Sequence, residues 1–546
     1  MKASSTGNGP ARLTPLAVVR GGAEQAAAAA LANPMEFQGS GRIVDLVREQ
    51  ARRRPGHAAV IEGAAILSYQ GLVARIDEVR ELLRSAGCGA RQVIACAGPR
   101  SAATAVLFLA LEDLGAVYFP VDPAWPRARV ADVLSRGGCT HLANYTKGIE
   151  RLEITTMDGG PQTPPFEDVP PAYLIFTSGT TGLPKGAIVE HRGMRNHLWA
   201  KITDLGITSA DRVAFTAPLV FTIAIWQMLA PLMAGATTVV VGEADVTFPP
   251  RLPRLLLQQR VSVVELVPTA IGLLLDQLLR RPPEDALPEL RWLISTGEEL
   301  TPGLAGRVLR SLPHVSVLNA YGSTECSDDV THHVVTMADT TLPRLPVGSP
   351  IANAVIYVLV HEEGPDAWRA ARPGESGEIF VGGIPVGVGY PGDATATGKA
   401  FHQDPIDPHS PTGRLYRTGD LGRVDQGRLH YLGRSDRQVK VAGMRLELDE
   451  IEAVLSRHPE LDHCAASCHR PTAPSRDWLP MSSPVPQSPR RSWRTSSRRP
   501  FRRLRCPNGS GGWSRSRCPP TARWTTAHSP IRHGQTDLRG ASDCSR

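Results

Sequence analysis

Residues 177–186 read Thr-Ser-Gly-Thr-Thr-Gly-Leu-Pro-Lys-Gly and hold the densest chemistry in the chain. Four hydroxyl residues (Thr177, Ser178, Thr180, Thr181), glycines at 179, 182 and 186, and Lys185 suit a phosphate. Glycine lets backbone N–H groups come close, hydroxyls donate and the lysine adds a cation. The apolar run Tyr173-Leu174-Ile175-Phe176 before it predicts a buried strand that delivers the loop to one end of a sheet. This is not the Walker arrangement, because Gly186 rather than Ser or Thr follows Lys185. The plainer alternative is a polar turn after a strand.

The loop resembles the phosphate-binding core of the adenylate-forming (AMP-binding) enzymes, and most closely the amino-acid adenylation domains of nonribosomal peptide synthetases. Further stretches carry the same resemblance in chain order: Leu67 to Leu72, Gly115 to Pro123, Asn319 to Glu325 (Asn-Ala-Tyr-Gly-Ser-Thr-Glu), Tyr416 to Leu421 (Tyr-Arg-Thr-Gly-Asp-Leu) and Gly433 to Glu452. Together they cover residues 42 to 468. The resemblance implies ATP and Mg²⁺ as cofactors and an AMP-forming ligase that joins an acid to a thiol. A carboxylate would attack the α-phosphate to give an acyl-adenylate. The acceptor would be the phosphopantetheine of a carrier protein or, in the alternative of an acyl- or aryl-CoA ligase, CoA. A non-catalytic nucleotide-binding remnant is the reading from outside the enzyme class.

By the same resemblance Lys185, Thr324 and Glu325 are the catalytic set, with Glu325 also holding the metal. The nucleotide would meet Thr177, Ser178, Gly179, Thr180, Thr181, Gly182, Gly297, Glu298, Asn319, Ala320, Tyr321, Gly322, Ser323, Asp420 and Arg434. Tyr321 would stack on adenine and Asp420 would accept from the ribose hydroxyls. Read singly, Tyr321 is a core aromatic, Glu325 a solvated acid and Asp420 a turn residue.

The expected acyl pocket comprises Thr222, Ile223, Trp226, Glu265, Ile294, Thr296, Asp328 and Asp329. Phe221-Thr222 departs from the family, where an Asp after the Phe holds the α-ammonium of an amino acid. A neutral hydroxyl cannot replace that charge in a dry pocket, which disfavours an ordinary α-amino acid. Glu265, Asp328 and Asp329 then have two readings: exposure at the cleft mouth, or capture of a cation displaced from the α-carbon, as in a β-amino or basic acid. An aryl, hydroxy or keto acid fits Thr222 and leaves the acids unexplained.

The elements that must position these residues follow an α/β rhythm. Helical patterns at Ile43 to Arg53, Gly71 to Ala86 and Ala102 to Leu114 interleave with short apolar strands, a layered arrangement that places ligands at strand ends. Strand- and glycine-rich sequence after Val355 predicts a small barrel finishing a large domain over 42–433. Residues 434–437 resemble the family hinge, with Asp436 in it and Lys440 beyond. The sequence at 438–468 would begin an α+β C-terminal lid, and 1–41 reads as a poorly ordered extension.

Of 546 residues, those from Arg470 onward include 16 Arg, no Lys, no Glu and 3 Asp, a charge of +13. The whole carries +7, so the first 469 residues carry about −6, and the basicity belongs to the tail. Arg, Pro and Ser make up 40 of those last 77 residues, a composition that cannot bury enough apolar surface to offset ordering. The family expects further lid elements here and an Asn-Gly-Lys whose lysine reaches the active site. Pro507-Asn508-Gly509 is followed instead by Ser510, and the 469–546 tail reads as disordered or as a shifted reading frame of GC-rich codons. A nucleic-acid arm, a carrier attachment at Ser514 and a metal site at Cys464, Cys468 and His469 are weaker alternatives. No apolar run reaches membrane-spanning length and the start lacks a signal-peptide pattern, so a cytoplasmic enzyme with no membrane or nucleic-acid partner is expected.

Overall fold

The computed structural model describes residues 13–19, 21–36, 41–146, 151–157, 169–178, 184–248, 250–282, 287–362, 367–441, 443–455, 465–469, 492–495, 501–504 and 524–527. It divides into two compact units: Met1–Thr177 with Pro184–Asp436 and Ala442–Arg445, and Ser178–Leu183 with Arg437–Val441 and Leu446–Arg546.

Three sheets built from the described residues organise the first unit. One has six strands in the order Leu152–Thr156, Cys139–Tyr145, Val93–Ala97, Val117–Val121, Pro171–Thr177, Lys185–Glu190. Its inner strands are parallel, and their continuous Val/Ile/Phe/Tyr burial is what a sheet covered on both faces demands. A nine-stranded sheet has a parallel centre in the order Thr237–Val240, Arg212–Phe215, Val263–Leu266, Trp292–Ser295, Ser316–Ser323. Asp328–Val335 adds antiparallel to the last of these. Helices Ala102–Leu114, His191–Leu205 and Ile223–Ala234 are buried nearly all round, and their apolar side chains join strands of both sheets in one continuous core.

The strands expected to finish the domain as a small barrel form a seven-stranded antiparallel sheet, with Ala354–Glu362, Gly377–Gly383 and Arg414–Asp425 at its centre. Residues 13–36 differ from the loose extension expected of 1–41. Helix Gly22–Ala29 is followed by strand Leu31–Ala32, which pairs with Ala354–Glu362, while Leu16 and Ala26 are buried against Trp368 and Phe380. Alanines and a lone leucine carry little periodic signal, but a ready-made sheet edge supplies the partner that they lack locally.

In the second unit Arg437 binds Asp449 and Glu452, and Leu448 and Ala466 form a small cluster with Val439, Leu446 and Ile451. Ala466–His469 pairs with Ser492–Thr495, and Phe501–Leu504 with Trp524–Ala527. Cys464, Asn508, Gly509 and Ser514 lie outside the described residues.

Candidate nucleotide and acyl site

Strands Pro171–Thr177 and Lys185–Glu190 are antiparallel neighbours with Thr177 opposite Lys185, so a strand does deliver the hydroxyl-rich loop and another takes the chain away. Ser178 is buried, and Gly179, Thr180, Thr181 and Gly182 lie outside the described residues. The Lys185 ammonium stands 5.5 Å from the centre of the Tyr390 ring, within reach of a cation–π attraction.

The strand Ser316–Ser323 carries Asn319, Ala320, Tyr321, Gly322 and Ser323, and a single turn over Thr324–Cys326 carries Thr324 and Glu325. The Asn319 amide donates to the Pro346 carbonyl at 2.8 Å, and Ala320 is buried. The Tyr321 hydroxyl donates to Asp420 Oδ2 at 2.6 Å, and Arg434 Nη1 donates to Asp420 Oδ1 at 2.6 Å. Tyr321 thus meets Asp420, and through it Arg434, across about a hundred residues of chain. Burial first, then the Asp420 carboxylate, hold the Tyr321 phenol well above its ordinary value, so it stays a donor. Gly297 adopts φ +78°, and Glu298 accepts from the Thr269 hydroxyl at 2.7 Å and the Gly443 amide at 3.2 Å.

Glu325 is fully buried rather than solvated. Tyr390 donates to it at 2.8 Å and Arg445 Nη1 lies 2.9 and 3.1 Å from its two oxygens. Burial opposes its charge, yet Arg445 first and Tyr390 next hold it below the ordinary carboxylate value. An ionised carboxylate is a hard ligand of the right type for Mg²⁺, but here Arg445 engages both oxygens, so this arrangement as it stands does not fit a metal at Glu325. Arg445 and Tyr390 were not anticipated from the sequence.

The residues expected to line an acyl pocket come together near the ends of neighbouring strands. Thr222 caps helix Ile223–Ala234, which carries a half-buried Ile223 and a fully buried Trp226. Glu265 sits on Val263–Leu266, Ile294 on Trp292–Ser295 with Thr296 just beyond, and Asp328 and Asp329 open the Asp328–Val335 strand. Gly322 opposes Asp329 at a register shift; a Cβ there would lie 1.9 Å from the Asp328 carbonyl oxygen, so only glycine fits. Asp328 itself takes φ +116°, a strained conformation for a residue with a side chain.

The expectation of acids exposed at a cleft mouth is corrected here, since Glu265, Asp328 and Asp329 are all buried. The cation among them belongs to the protein. Lys201, fully buried on helix His191–Leu205, donates to Asp329 Oδ2 at 2.6 Å and to Glu265 Oε1 at 3.3 Å. Thr296 donates to Asp329 Oδ1 at 3.1 Å, and the Trp226 indole N–H donates to Glu265 Oε2. Asp328 differs: Thr222 donates to its Oδ1 at 2.8 Å, while its Oδ2 has no hydrogen-bond partner among the described residues. Nε2 of His197, also without a partner among the described residues, lies 3.8 Å from that oxygen.

Burial and then the Asp329 and Glu265 carboxylates push the Asp328 carboxyl well above its ordinary value. His197 is lowered to about 3 by burial and then by Lys201, so its imidazole is neutral. Burial alone would discharge Lys201, but Asp329 and Glu265 outweigh it and keep the ammonium charged. Lys201 was missed because a lone lysine in Trp-Ala-Lys-Ile reads as a solvated face; the signal available was the otherwise apolar surroundings of that helix.

The AMP-binding enzyme family matches residues 47–391. Phosphinothricin tripeptide synthetase PhsB of Streptomyces viridochromogenes is 35% identical over 466 residues, covering 79% of this chain and 38% of PhsB. The chain thus spans well under half the length of that relative. Novobiocin biosynthesis protein H of Streptomyces niveus is 33% identical over 452 residues, 78% of this chain and 72% of that protein. Among solved structures, holo-PA1221, an NRPS protein containing adenylation and PCP domains bound to a vinylsulfonamide inhibitor, has a TM-score of 0.67 at 26% identity, covering 80% of this chain and 74% of that one. With its motifs, its layered fold and these matches in agreement, the chain belongs to the AMP-binding enzymes, as an adenylation domain of the nonribosomal peptide synthetase type.

Proposed function

We propose that this domain uses ATP to activate a carboxylic acid, an amino acid or analogue, as its acyl-adenylate for transfer to a phosphopantetheine thiol on a carrier protein. The observation that carries the reading is the convergence of Tyr321, Asp420 and Arg434. Asp420 offers acceptor oxygens suited to ribose hydroxyls, Tyr321 a flat face for adenine, and Arg434 orients the carboxylate. Lys185, beside Thr177, is the cation for the phosphates. In the reaction a carboxylate oxygen bonds to the α-phosphorus, the bond to the β-phosphate oxygen breaks and pyrophosphate leaves. The residues contribute mainly by position and charge.

Magnesium is expected with ATP, and Glu325 can meet it only by giving up Arg445. Thr222, paired with Asp328, favours an acid whose cation is displaced from the α-carbon. A cytoplasmic setting is in keeping with this role; no described helix is long and apolar enough to cross a membrane. We also propose that turnover by this chain is slow, because residues 470–546 contain no lysine to serve as the family's lid donor. Calorimetry with ATP tests the binding site, and isotope exchange between pyrophosphate and ATP tests the chemistry. Absence of ATP binding would refute the reading.

A further inference from the structure

Glu265 and Asp329, which the proposed reading assigns to the acyl pocket, carry four carboxylate oxygens, and each already has a donor. Lys201 serves one on each residue, Trp226 the other on Glu265 and Thr296 the other on Asp329. The Lys201 ammonium is also 4.7 Å from the centre of the Trp226 ring, so helix, indole and both acids lock one another in place. A substrate amine approaching these acids finds every oxygen already engaged and would compete with a buried ammonium. Asp328 is the exception, with one oxygen held by Thr222 and the other unpartnered, buried and facing the unpartnered His197 nitrogen. An unpartnered oxygen on a buried carboxyl is costly, and a ligand ammonium placed there would take the place of the proton that burial holds on Asp328 and supply the missing donor.

We propose that Lys201 is a specificity-determining residue: as an internal counter-ion it closes Glu265 and Asp329 to substrate and limits the pocket to acids bearing one cation, which Asp328 holds. The proposal rests on the reading that this site takes a carboxylic acid. It separates two ligand classes that three bare acids would not: a β-amino acid or guanidino acid with one cation is accepted, and a diamino acid is refused for want of a second free carboxylate. His197, Asp328 and Asp329 have ligand atoms within 4.8 Å of one another, a spacing that suits a metal ion as well. Lys201 decides against it, because its ammonium, 2.6 Å from Asp329 Oδ2, would repel a metal cation placed on that residue.

The test uses the full chain with ATP present, titrated calorimetrically with propionate, β-alanine and 2,3-diaminopropionate. Wild type should bind β-alanine at least about tenfold more tightly than either of the others, the scale of one buried charge contact. Lys201→Met removes the ammonium shared by Glu265 and Asp329 and should move the ratio of diaminopropionate to β-alanine affinity up by about tenfold or more. An unchanged ratio overturns the proposal. Should Lys201→Met fail to fold, the near-isosteric Asp328→Asn carries the test: it should cost β-alanine about tenfold while propionate and ATP bind as before. Full retention of β-alanine affinity in that variant overturns the proposal equally. Failure of wild type to bind ATP refutes the parent reading, whereas normal ATP binding with unaltered selectivity refutes the role of Lys201 alone.

Discussion

Removing single side chains should separate nucleotide binding from acyl recognition. Asp420→Ala takes away the acceptor shared by Tyr321 and Arg434. Calorimetry should show ATP affinity lowered by roughly one to two powers of ten, the worth of hydrogen bonds to a charged group, with the circular-dichroism spectrum retained. An affinity equal to wild type would remove Asp420 from the site. Glu265 gives a prediction in pH. Burial raises it from 4.5 to about 7, against the opposing pull of Lys201. The folded state therefore holds that proton more tightly than the unfolded chain, and the stability it contributes is present below about pH 4.5 and lost as pH rises towards 7. Melting temperatures of wild type and Glu265→Gln across that range should converge at the acid end and separate in favour of the variant at the neutral end. Parallel curves would show that Glu265 does not titrate there.

At the scale of elements, the junction between Ser316–Ser323 and Asp328–Val335 sets Tyr321, which meets Asp420, close to Asp328, which meets Thr222. Gly322→Ala forces a methyl group against the Asp328 carbonyl and should destabilise the domain by more than about 2 kcal/mol in urea unfolding, through overpacking with no flexible neighbour to yield. A variant as stable as wild type would mean that the bulge shifts freely. Much of this level was legible in the sequence. Alternating apolar strands and helices gave the layers, and the local motifs Asn319 to Glu325 and Tyr416 to Leu421 picked out Tyr321 and Asp420, which the fold brings together. Lys201, His197 and Arg445 were not legible, since each acts on a partner far away in sequence: Lys201 meets Asp329 across 128 residues and Arg445 meets Glu325 across 120. Pairing over such distances is a product of topology. The short N-terminal helix and strand were missed for the same reason, as they depend on a sheet edge that forms some three hundred residues later.

The whole molecule sets rate apart from binding. The Tyr321–Asp420–Arg434 group, the Lys201 cluster and Arg445 lie in the first unit, so a chain cut after Arg445 should bind ATP within about threefold of the full protein, the spread expected when no contacting residue is lost. A far weaker shortened chain would mean that residues beyond 445 complete the nucleotide site. Pyrophosphate exchange by the full chain should stay near background, because losing one transition-state donor alone typically costs about two to three powers of ten. Sequencing the DNA beyond codon 468 decides the frame-shift reading, and joining codons 1–468 to any alternative frame that encodes Asn-Gly-Lys should restore exchange. Robust exchange from the unaltered chain would show that its tail supplies a working donor.

Lys201 also bears on efforts to reprogramme such domains. Its side chain comes from a helix behind the strands, yet it sets the charge that the strands present. Grafting only the lining residues into a relative with an apolar side chain at that helical position would import two bare acids and leave their neutralising partner behind. The recipient would be expected to lose stability, or to accept compounds that the donor refuses. A transplant that carries the helix with the strands moves the whole charge circuit intact.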